Sequence, residues 1–358
     1  PESRLLVDVE LAPVPLDAAY LRALDTEFAD QLGRLERELA DLAGMAEVPN
    51  FRSNKIIGRI MYEKLRLPIV SVTDGGAPST DKAALMELKK LSPFADRLIQ
   101  YRRVGKLRSS YVQRWLNILD TSPYYTHYLQ HGTVTGRLSG DFQQTPRIPE
   151  RDAAGNEVEP NIRNAVLAPD GYVLLEADHS MLELRLAAWY APEPTMFRLL
   201  RQHEDVHKYT ASRIFLDTEI TAFLRSIGKQ ANFLEIYGGS PPRLAEHLLL
   251  NMTDEQVRSL CALLGVNVLS EAAERIHYEW HETYYGIQEW LDRERLEIRR
   301  LGYSAAPHGR VRWLPKAQSP NYKIREEAVR EGANHKIQSL ASDLTMLGAV
   351  LARPALLD

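Results

Sequence analysis

The chain has 358 residues, 44% of them hydrophobic, which is enough to bury a large core and form two or three subdomains. Its formal net charge of -4 argues against wholesale attraction to nucleic acid, so such contacts would depend on local clusters of positive charge. A single cysteine, Cys261, excludes an internal disulfide framework and indicates a reducing compartment, by default the cytoplasm.

The apolar runs are short and interrupted by charge, so we expect no membrane span, and no basic-then-apolar leader opens the chain. Because the chain begins with Pro1 instead of Met, we expect a fragment of a longer protein.

The first third is predicted to be helical. Between Leu16 and Leu42 apolar residues recur every three or four positions, which is typical of a long amphipathic helix. Residues 70–81 are rich in Gly, Pro, Ser and Thr and predict an exposed loop. Helical periodicity resumes at Lys82, and a helix ending near Leu119 closes this part of the chain.

A local cluster of positive charge lies between Arg97 and Arg114. Small hydroxyls and tyrosines alternate with its cations, a mixture found on surfaces that follow phosphates. A solvated helix face is the simpler alternative. The motif Thr-Gly-Arg-Leu-Ser follows at 135–139, and the polar stretch from there to Asn161 predicts strand and loop.

A pair of carboxylates follows the apolar run Tyr172–Leu175, which we expect to be a buried strand after the turn at 169–171. Asp178 would then lie at the end of the strand, where an acidic group can hold a hard divalent cation. Glu183 would lie one turn along the next helix, facing whatever the cation holds. The alternative is a helix cap followed by a surface glutamate.

From Phe197 onward the chain is predicted to be helical, apart from a hairpin or loop at 302–315. Within this region Arg225, Lys229, Phe233 and Tyr237 are spaced four apart and would form one stripe on a helix. Two cations followed by two rings suit an anionic tail and a flat apolar group, as in a nucleotide. Alternatively, the rings face the core and the cations reach past them to solvent.

Helices, a small sheet and further helices predict a mostly α-helical α+β fold around a cleft. The segments 178–185 and 225–238 resemble the first palm motif and the fingers-helix motif of the family-A DNA polymerases, the DNA polymerase I type. His179, Met181 and Leu234 depart from the usual motifs. Residues 135–139, with Gln143 and Gln144, are similar to the family's primer-template motif.

The resemblance runs in the family's order from Leu5 to Asp343, through 162–163, 205–207, 309–312 and the helix that carries Arg330. It implies a right-hand polymerase architecture with a small antiparallel palm sheet. The implied boundaries are a palm-edge segment at 1–17, a thumb at 18–125, a palm at 126–200, fingers at 201–345 and the start of a return to the palm at 346–358.

By resemblance, Asp178 would coordinate two catalytic Mg²⁺ ions, for which Mn²⁺ can substitute, with the Met181 region lending a backbone carbonyl. Lys229 would act beside it in catalysis. The implied reaction is two-metal phosphoryl transfer from deoxynucleoside triphosphates to the 3'-end of a primer-template DNA.

The resemblance also implies a nucleotide site. Arg225 and Lys229 would bind the triphosphate with help from His207 and Arg163, and the two rings of the stripe would pack against sugar and base. Glu183 would be a steric gate that disfavours ribonucleotides. The phenylalanine at Phe233, where a tyrosine would supply a hydroxyl, predicts discrimination against dideoxynucleotides.

DNA contacts are implied for two further groups of residues. Those expected to hold the duplex are Lys106, Ser109, Ser110, Arg137, Gln143 and Gln144. On a later helix, Arg330, Asn334 and Gln338 repeat every fourth residue, and their amides suit the minor-groove acceptors present on every base pair. A solvated polar face is the alternative for these three.

The family's second catalytic aspartate stands in a His-Asp-Glu motif that is not reached before Asp358. Neither Asp343 nor Asp358 has that context, so we expect the fragment alone to be nearly inactive and a complementing C-terminal palm segment to restore it. Two other interpretations stay open: a non-catalytic DNA- or nucleotide-binding fragment or subunit of a split polymerase, and a relative of the single-subunit RNA polymerases.

Overall fold

The computed structural model describes residues 2–73, 75–146, 161–217 and 219–357, without the side chains of Gln143, Leu356 and Leu357. Most of the described residues are helical, and the described strands form small two-stranded antiparallel sheets, which confirms the predicted fold class. The chain divides into two compact units. The first unit comprises Pro1–Leu6, Tyr128–Ser139 and Glu176–Asp358, and the second comprises Val7–His127 and Gly140–Leu175.

After helix α1 (Glu2–Leu11), the second unit is built around the predicted long helix, which is α2. Asp17 caps α2 by accepting a hydrogen bond from the Tyr20 amide (2.9 Å), and the apolar stripe of the helix is buried against α5. The helices of this unit after α1 are α2 (Ala18–Leu42), α3 (Asn54–Gly58), α4 (Lys82–Leu88), α5 (Pro93–Leu107) and α6 (Gln113–Leu119), and its strands are β1 (Pro13–Val14) and β2 (Tyr124–Tyr125).

The helical pattern predicted from Lys82 is interrupted once before Tyr101. Pro93 lies in the first turn of α5, where its missing N–H costs no hydrogen bond, and it separates α5 from α4. Wider π-helical turns at Arg59–Lys64 and Arg108–Val112 follow α3 and α5. β1 and β2 pair antiparallel, with Pro13 opposite Tyr125.

The first unit packs its helices around a core that includes Trp280 and Tyr284, both fully buried. The segment 302–315, predicted to be a hairpin or a loop, forms the antiparallel pair β3 and β4. The elements are α7 (Leu182–Tyr190), α8 (Pro194–Arg201), α9 (Val206–Phe215), α10 (Ala222–Glu235), α11 (Pro241–Asn251), α12 (Asp254–Leu264), α13 (Leu269–Thr283), α14 (Tyr285–Leu301), α15 (Tyr322–Leu357), β3 (Tyr303–Ala305) and β4 (Val311–Trp313).

Helices α9 and α10 approach very closely at Gly228. A Cβ atom at this position would lie 2.3 Å from the backbone carbonyl oxygen of His207 and 3.0 Å from the amide nitrogen of Ala211. Only a residue without a side chain allows this approach, so Gly228 sets the distance between the two helices.

The expectation of a buried strand at Tyr172–Leu175 is wrong. These four residues form no strand, and their side chains are between 65% and 88% exposed. Apolar content and a preceding turn predict a strand, but a strand also needs a neighbour to pair its backbone groups, and no described strand lies beside this segment.

Within the ranges described above, no helix combines the length and the apolar character that crossing a membrane requires. Cys261 is a buried free thiol.

Candidate functional site

Helix α10 presents three of the four residues of the predicted stripe on its solvent-facing side. Arg225 and Lys229 are exposed, and Phe233 is 37% exposed, so the alternative in which this ring faces the core is wrong. The helix ends at Glu235, which places Tyr237 in the following turn and not on the helix. The stripe therefore has three helical members, and a partly buried fourth member lies beyond the helix end.

Arg225 has an acidic partner that the sequence pattern did not reveal. Its Nε donates a 2.6 Å hydrogen bond to Asp205, which also caps α9 by accepting from the amides of His207 and Lys208 at 3.0 Å each. Partial burial alone would raise the pKa of Asp205, but the bonds from Arg225 and Lys208 outweigh it and lower that pKa. Asp205 is therefore an ionised carboxylate, and in this form it binds the Arg225 guanidinium.

His207 lies in the first turn of α9, next to Asp205 in the chain, and is only 4% exposed. Burial, followed by the nearby charge of Arg225 and to a smaller extent Lys229, lowers its pKa to about 4, although Asp205 acts in the opposite direction. The Asn232 amide donates to Nδ1 of His207 (3.0 Å), so the neutral ring carries its proton on Nε2. The ring also lies beside Phe233, with centroids 5.8 Å apart.

Asn232 is fully buried and organises the packing under the stripe. Its Oδ1 accepts hydrogen bonds from Trp280 Nε1 (2.8 Å) and Thr210 Oγ1 (3.0 Å) while its amide nitrogen holds His207. Sequence reasoning gave no role to Asn232 or Asp205, although both lie in segments that carry the family resemblance. For Asp205 a further signal was its position at a helix start, which is common for aspartate.

Glu183 lies in the first turn of α7 and forms an ion pair with Arg137. Tyr237 is the third member of this group: burial, followed by the neighbouring Glu183 carboxylate, raises the pKa of its hydroxyl well above the usual range. Gln338 on α15 also faces the Tyr237 hydroxyl. Four residues predicted from separate motifs are therefore neighbours in the first unit.

A cavity of about 260 Å³ extends this group between the end of α10 and α15. Tyr237, Arg330 and Asn334 line it, together with Gly238 and Gly239. Asn334 Oδ1 is buried and has no hydrogen-bond partner among the described residues. The cavity thus has an arginine and an asparagine beside an aromatic ring.

The Thr-Gly-Arg-Leu-Ser motif is anchored through Gly136, whose φ of 80° favours glycine. Its carbonyl accepts a 3.0 Å hydrogen bond from Ser342, and the Arg310 guanidinium fills the space where a side chain would project. Arg310 and His308 both bind Asp343, at 2.8 and 3.0 Å. Asp343 is therefore occupied by two basic partners, and Asp358 lies outside the described residues.

Asp178 is exposed in the irregular segment before α7, where it has open access to solvent and to any ligand. Met181 adopts a left-handed conformation (φ 53°), and its carbonyl accepts the first α7 hydrogen bond from Arg185. No group of three potential metal ligands in the described ranges includes Asp178. The oxygen donors at this position are of the type that Mg²⁺ prefers.

The remaining predicted residues belong to the second unit. Lys106, near the end of α5, and Ser110 are exposed. The Ser109 Oγ donates a 2.7 Å hydrogen bond to the Gly105 carbonyl. Arg163 donates to the Thr145 carbonyl (2.8 Å).

The Gln144 carbonyl accepts a 2.8 Å hydrogen bond from Tyr111, which ties this residue to the π-helical turn after α5. The side chain of Gln143 lies outside the described part of the chain.

This architecture is that of a polymerase domain. A solved structure, the POL domain of Pol1 from M. smegmatis in complex with DNA primer-template and dNTP, matches with a TM-score of 0.82 and 27% identity, covering 99% of this chain and 59% of that one. The family model for DNA polymerase family A matches residues 18–356. The chain therefore belongs to DNA polymerase family A.

Curated relatives give the same result. The thermostable DNA polymerase I of Thermus aquaticus is 31% identical over 361 aligned residues, covering 99% of this chain and 40% of that protein. DNA polymerase I of Pseudomonas aeruginosa is 32% identical over 359 residues, covering 96% of this chain and 37% of that protein. The chain spans about two fifths of the length of these relatives.

Proposed function

We propose that this chain is the polymerase region of an enzyme that adds deoxynucleotides to a DNA primer under the direction of a template. The observation that carries the proposal is the meeting of Glu183, Tyr237 and Arg137 just beyond the end of α10, the helix that exposes Arg225 and Lys229. The family membership and the primer-template and dNTP bound to the similar M. smegmatis domain support it.

Arg225 and Lys229 would bind the triphosphate of the incoming nucleotide. Both are exposed on one face of α10, and charge-assisted bonds to phosphate are strong. Arg225 would exchange its bond to Asp205 for one to phosphate. His207 is neutral above a pH of about 4, so it would contribute a hydrogen bond from Nε2–H and not a positive charge.

Glu183 would exclude ribonucleotides, because a carboxylate already engaged with Arg137 and facing Tyr237 has little freedom to move away from an added 2'-hydroxyl. Phe233 and Tyr237 would pack on the sugar and base. Arg330, Asn334 and Gln338 would monitor the minor groove of the new base pair, because their guanidinium and amide N–H groups can donate to the acceptors present on every pair.

Asp178 would hold the catalytic divalent metal together with a backbone carbonyl near Met181. When bound, Mg²⁺ ions neutralise the developing charge on the transferred phosphoryl group and lower the pKa of the attacking hydroxyl. Among the described residues Asp178 belongs to no group of three potential ligands, and the Asp343 carboxylate is already engaged by His308 and Arg310. We therefore infer that efficient extension needs a further carboxylate outside the described part of the chain.

Lys106, Ser109, Ser110 and Arg137, with Gln143 and Gln144, would contact the duplex. In this proposal residues 18–125 form a thumb, 126–200 a palm and 201–345 fingers. The positively charged Lys106 would bind phosphate without reading sequence.

Primer extension tests the proposal. We expect template-dependent addition of deoxynucleotides by the longest natural protein that contains this chain, strong loss of activity in Asp178→Asn, and little activity from residues 1–358 alone. Addition of a chain that supplies the missing palm carboxylate should restore extension by residues 1–358.

DNA binding without extension in every combination would identify a binding subunit instead. Preferential use of ribonucleotides would identify an RNA polymerase.

A further inference from the structure

A carboxylate and two imidazoles converge on one point behind α10, away from the exposed stripe. Glu235 is the last residue of α10, and His277 and His281 are one turn apart on α13. His277 Nδ1 lies 3.0 Å and His281 Nε2 3.3 Å from Glu235 Oε2, and the three donor atoms all lie within 4.8 Å of one another. Within the described ranges this is the only such group of three potential ligands.

Glu235 is in an unfavourable position for an acid. It is fully buried, and it lies at the C-terminal end of a helix, where the helix dipole already contributes negative charge. Both histidines approach the same oxygen, Oε2, while Oε1 is buried without a hydrogen-bond partner. A buried carboxylate in this position requires a positive partner.

The distances suit a coordinated ion. Ligands about 2.0–2.1 Å from a tetrahedral ion lie roughly 3.3 Å from one another, close to the separations between Oε2 and the two nitrogens. Histidines four residues apart present their rings on one face of a helix, a spacing used in zinc sites. The donor set of two nitrogens and one oxygen favours a transition metal over Mg²⁺ or Ca²⁺.

The surroundings also hold the donors in place. The rings of His277 and His281 lie with centroids 4.2 Å apart, and Trp280, between them in sequence, is fixed by its bond to Asn232. Gly239 passes so close that a Cβ atom there would lie 3.1 Å from Glu235 Oε2.

We propose that Glu235, His277 and His281 bind one divalent transition-metal ion, with Zn²⁺ as the expected occupant and water in the fourth position. The ion would link the C-terminal end of α10 to α13, two residues before Tyr237. This role is structural and separate from the metal proposed at Asp178. It therefore does not depend on polymerase activity.

The test is metal binding by the untagged protein in the absence of DNA and nucleotide. After dialysis against Zn²⁺ and then metal-free buffer, we expect one bound Zn²⁺ per chain by elemental analysis and a rise in Tm that Mg²⁺ does not reproduce. Because loss of even an outer partner of a ligand weakens binding about 10–100-fold, His277→Gln or His281→Gln should weaken it at least that much.

His247→Ala is the matched control, since His247 is exposed on α11 and outside the cluster. Its Zn²⁺ content should equal that of the wild type. Co²⁺ provides a second measurement that does not depend on the folding of variants, because a four-coordinate site gives strong visible absorption bands. The proposal is overturned if the wild type gives no such bands, or if Zn²⁺ content is the same in wild type and both glutamine variants.

Discussion

Arg137 and Glu183, 46 residues apart in the sequence, form an ion pair that joins the Thr-Gly-Arg-Leu-Ser motif to the first turn of α7. The Glu183 side chain is 17% exposed and lies near the buried Tyr237 hydroxyl, which makes no hydrogen bond with a described residue. A mostly buried carboxylate that is paired with an arginine is well suited to a steric role, because the ion pair fixes its position.

Replacing Glu183 by alanine is therefore expected to increase ribonucleotide incorporation relative to deoxynucleotide incorporation. The reason is the space left where the carboxylate stood. Primer extension by the longest natural protein that contains this chain measures the ratio of the two kcat/KM values. Glu183→Gln, which keeps the volume and removes the charge, should preserve most of the selectivity, and equal relaxation in both variants would contradict a steric gate.

Phe233→Tyr is expected to improve incorporation of dideoxynucleotides. Phe233 is exposed on α10 beside His207, so the added hydroxyl would project toward the bound sugar without entering the core. Competition between dideoxy- and deoxynucleotides in primer extension gives the discrimination factor. Phe233→Leu serves as the control, since it alters the ring and adds no hydroxyl. An unchanged factor in Phe233→Tyr would remove the proposed role.

Lys106→Ala is expected to weaken DNA binding by a similar factor on every duplex sequence. One lost phosphate contact should reduce the slope of log K against log salt by about 1. Fluorescence anisotropy at several salt concentrations measures both effects. Lys90→Ala removes another exposed lysine of the same unit and should leave binding nearly unchanged. A loss restricted to one DNA sequence would be incompatible with phosphate contact.

Gly228→Ala is expected to destabilise the protein by about 1–3 kcal/mol, because the new methyl group would meet the His207 carbonyl oxygen. Chemical denaturation gives the free energy of unfolding. Gly33→Ala is the matched control: Gly33 lies within α2 with no atom near the added Cβ, so that variant should gain up to about 1 kcal/mol. Similar effects at both positions would mean that α9 and α10 separate easily.

The free energy of unfolding should decrease as the pH falls from 6.5 to about 4. His207 has a folded-state pKa of about 4 against an ordinary value of 6.5, so in this window the unfolded chain binds the extra proton. The full contribution corresponds to about 3 kcal/mol at most. His335, whose pKa burial also lowers, adds a change of the same sign. The difference between wild type and His207→Gln isolates His207, and a difference that does not vary with pH would contradict the assignment.

Local patterns predicted several elements correctly. The spacing of apolar residues predicted α2, and the glycines, prolines and aromatics of 302–315 predicted a hairpin or a loop where β3 and β4 pair. Both depend on residues close in sequence, whose side chains and turn conformations carry the information. The strand expected at Tyr172–Leu175 depended instead on a partner strand, and its apolar residues alone did not produce one.

The sequence by itself revealed two motifs: the carboxylates at 178 and 183, and the four-residue spacing of Arg225, Lys229 and Phe233. Each motif spans fewer than ten residues, so local spacing is enough to recognise it. Their mutual arrangement was decided by the tertiary structure. Packing in the first unit brings Glu183 on α7 and Gln338 on α15 to Tyr237, and the packing of α9 against α10 pairs Arg225 with Asp205. Residues far apart in sequence become neighbours only when helices pack, since burial and close contact, not local spacing, determine their partners.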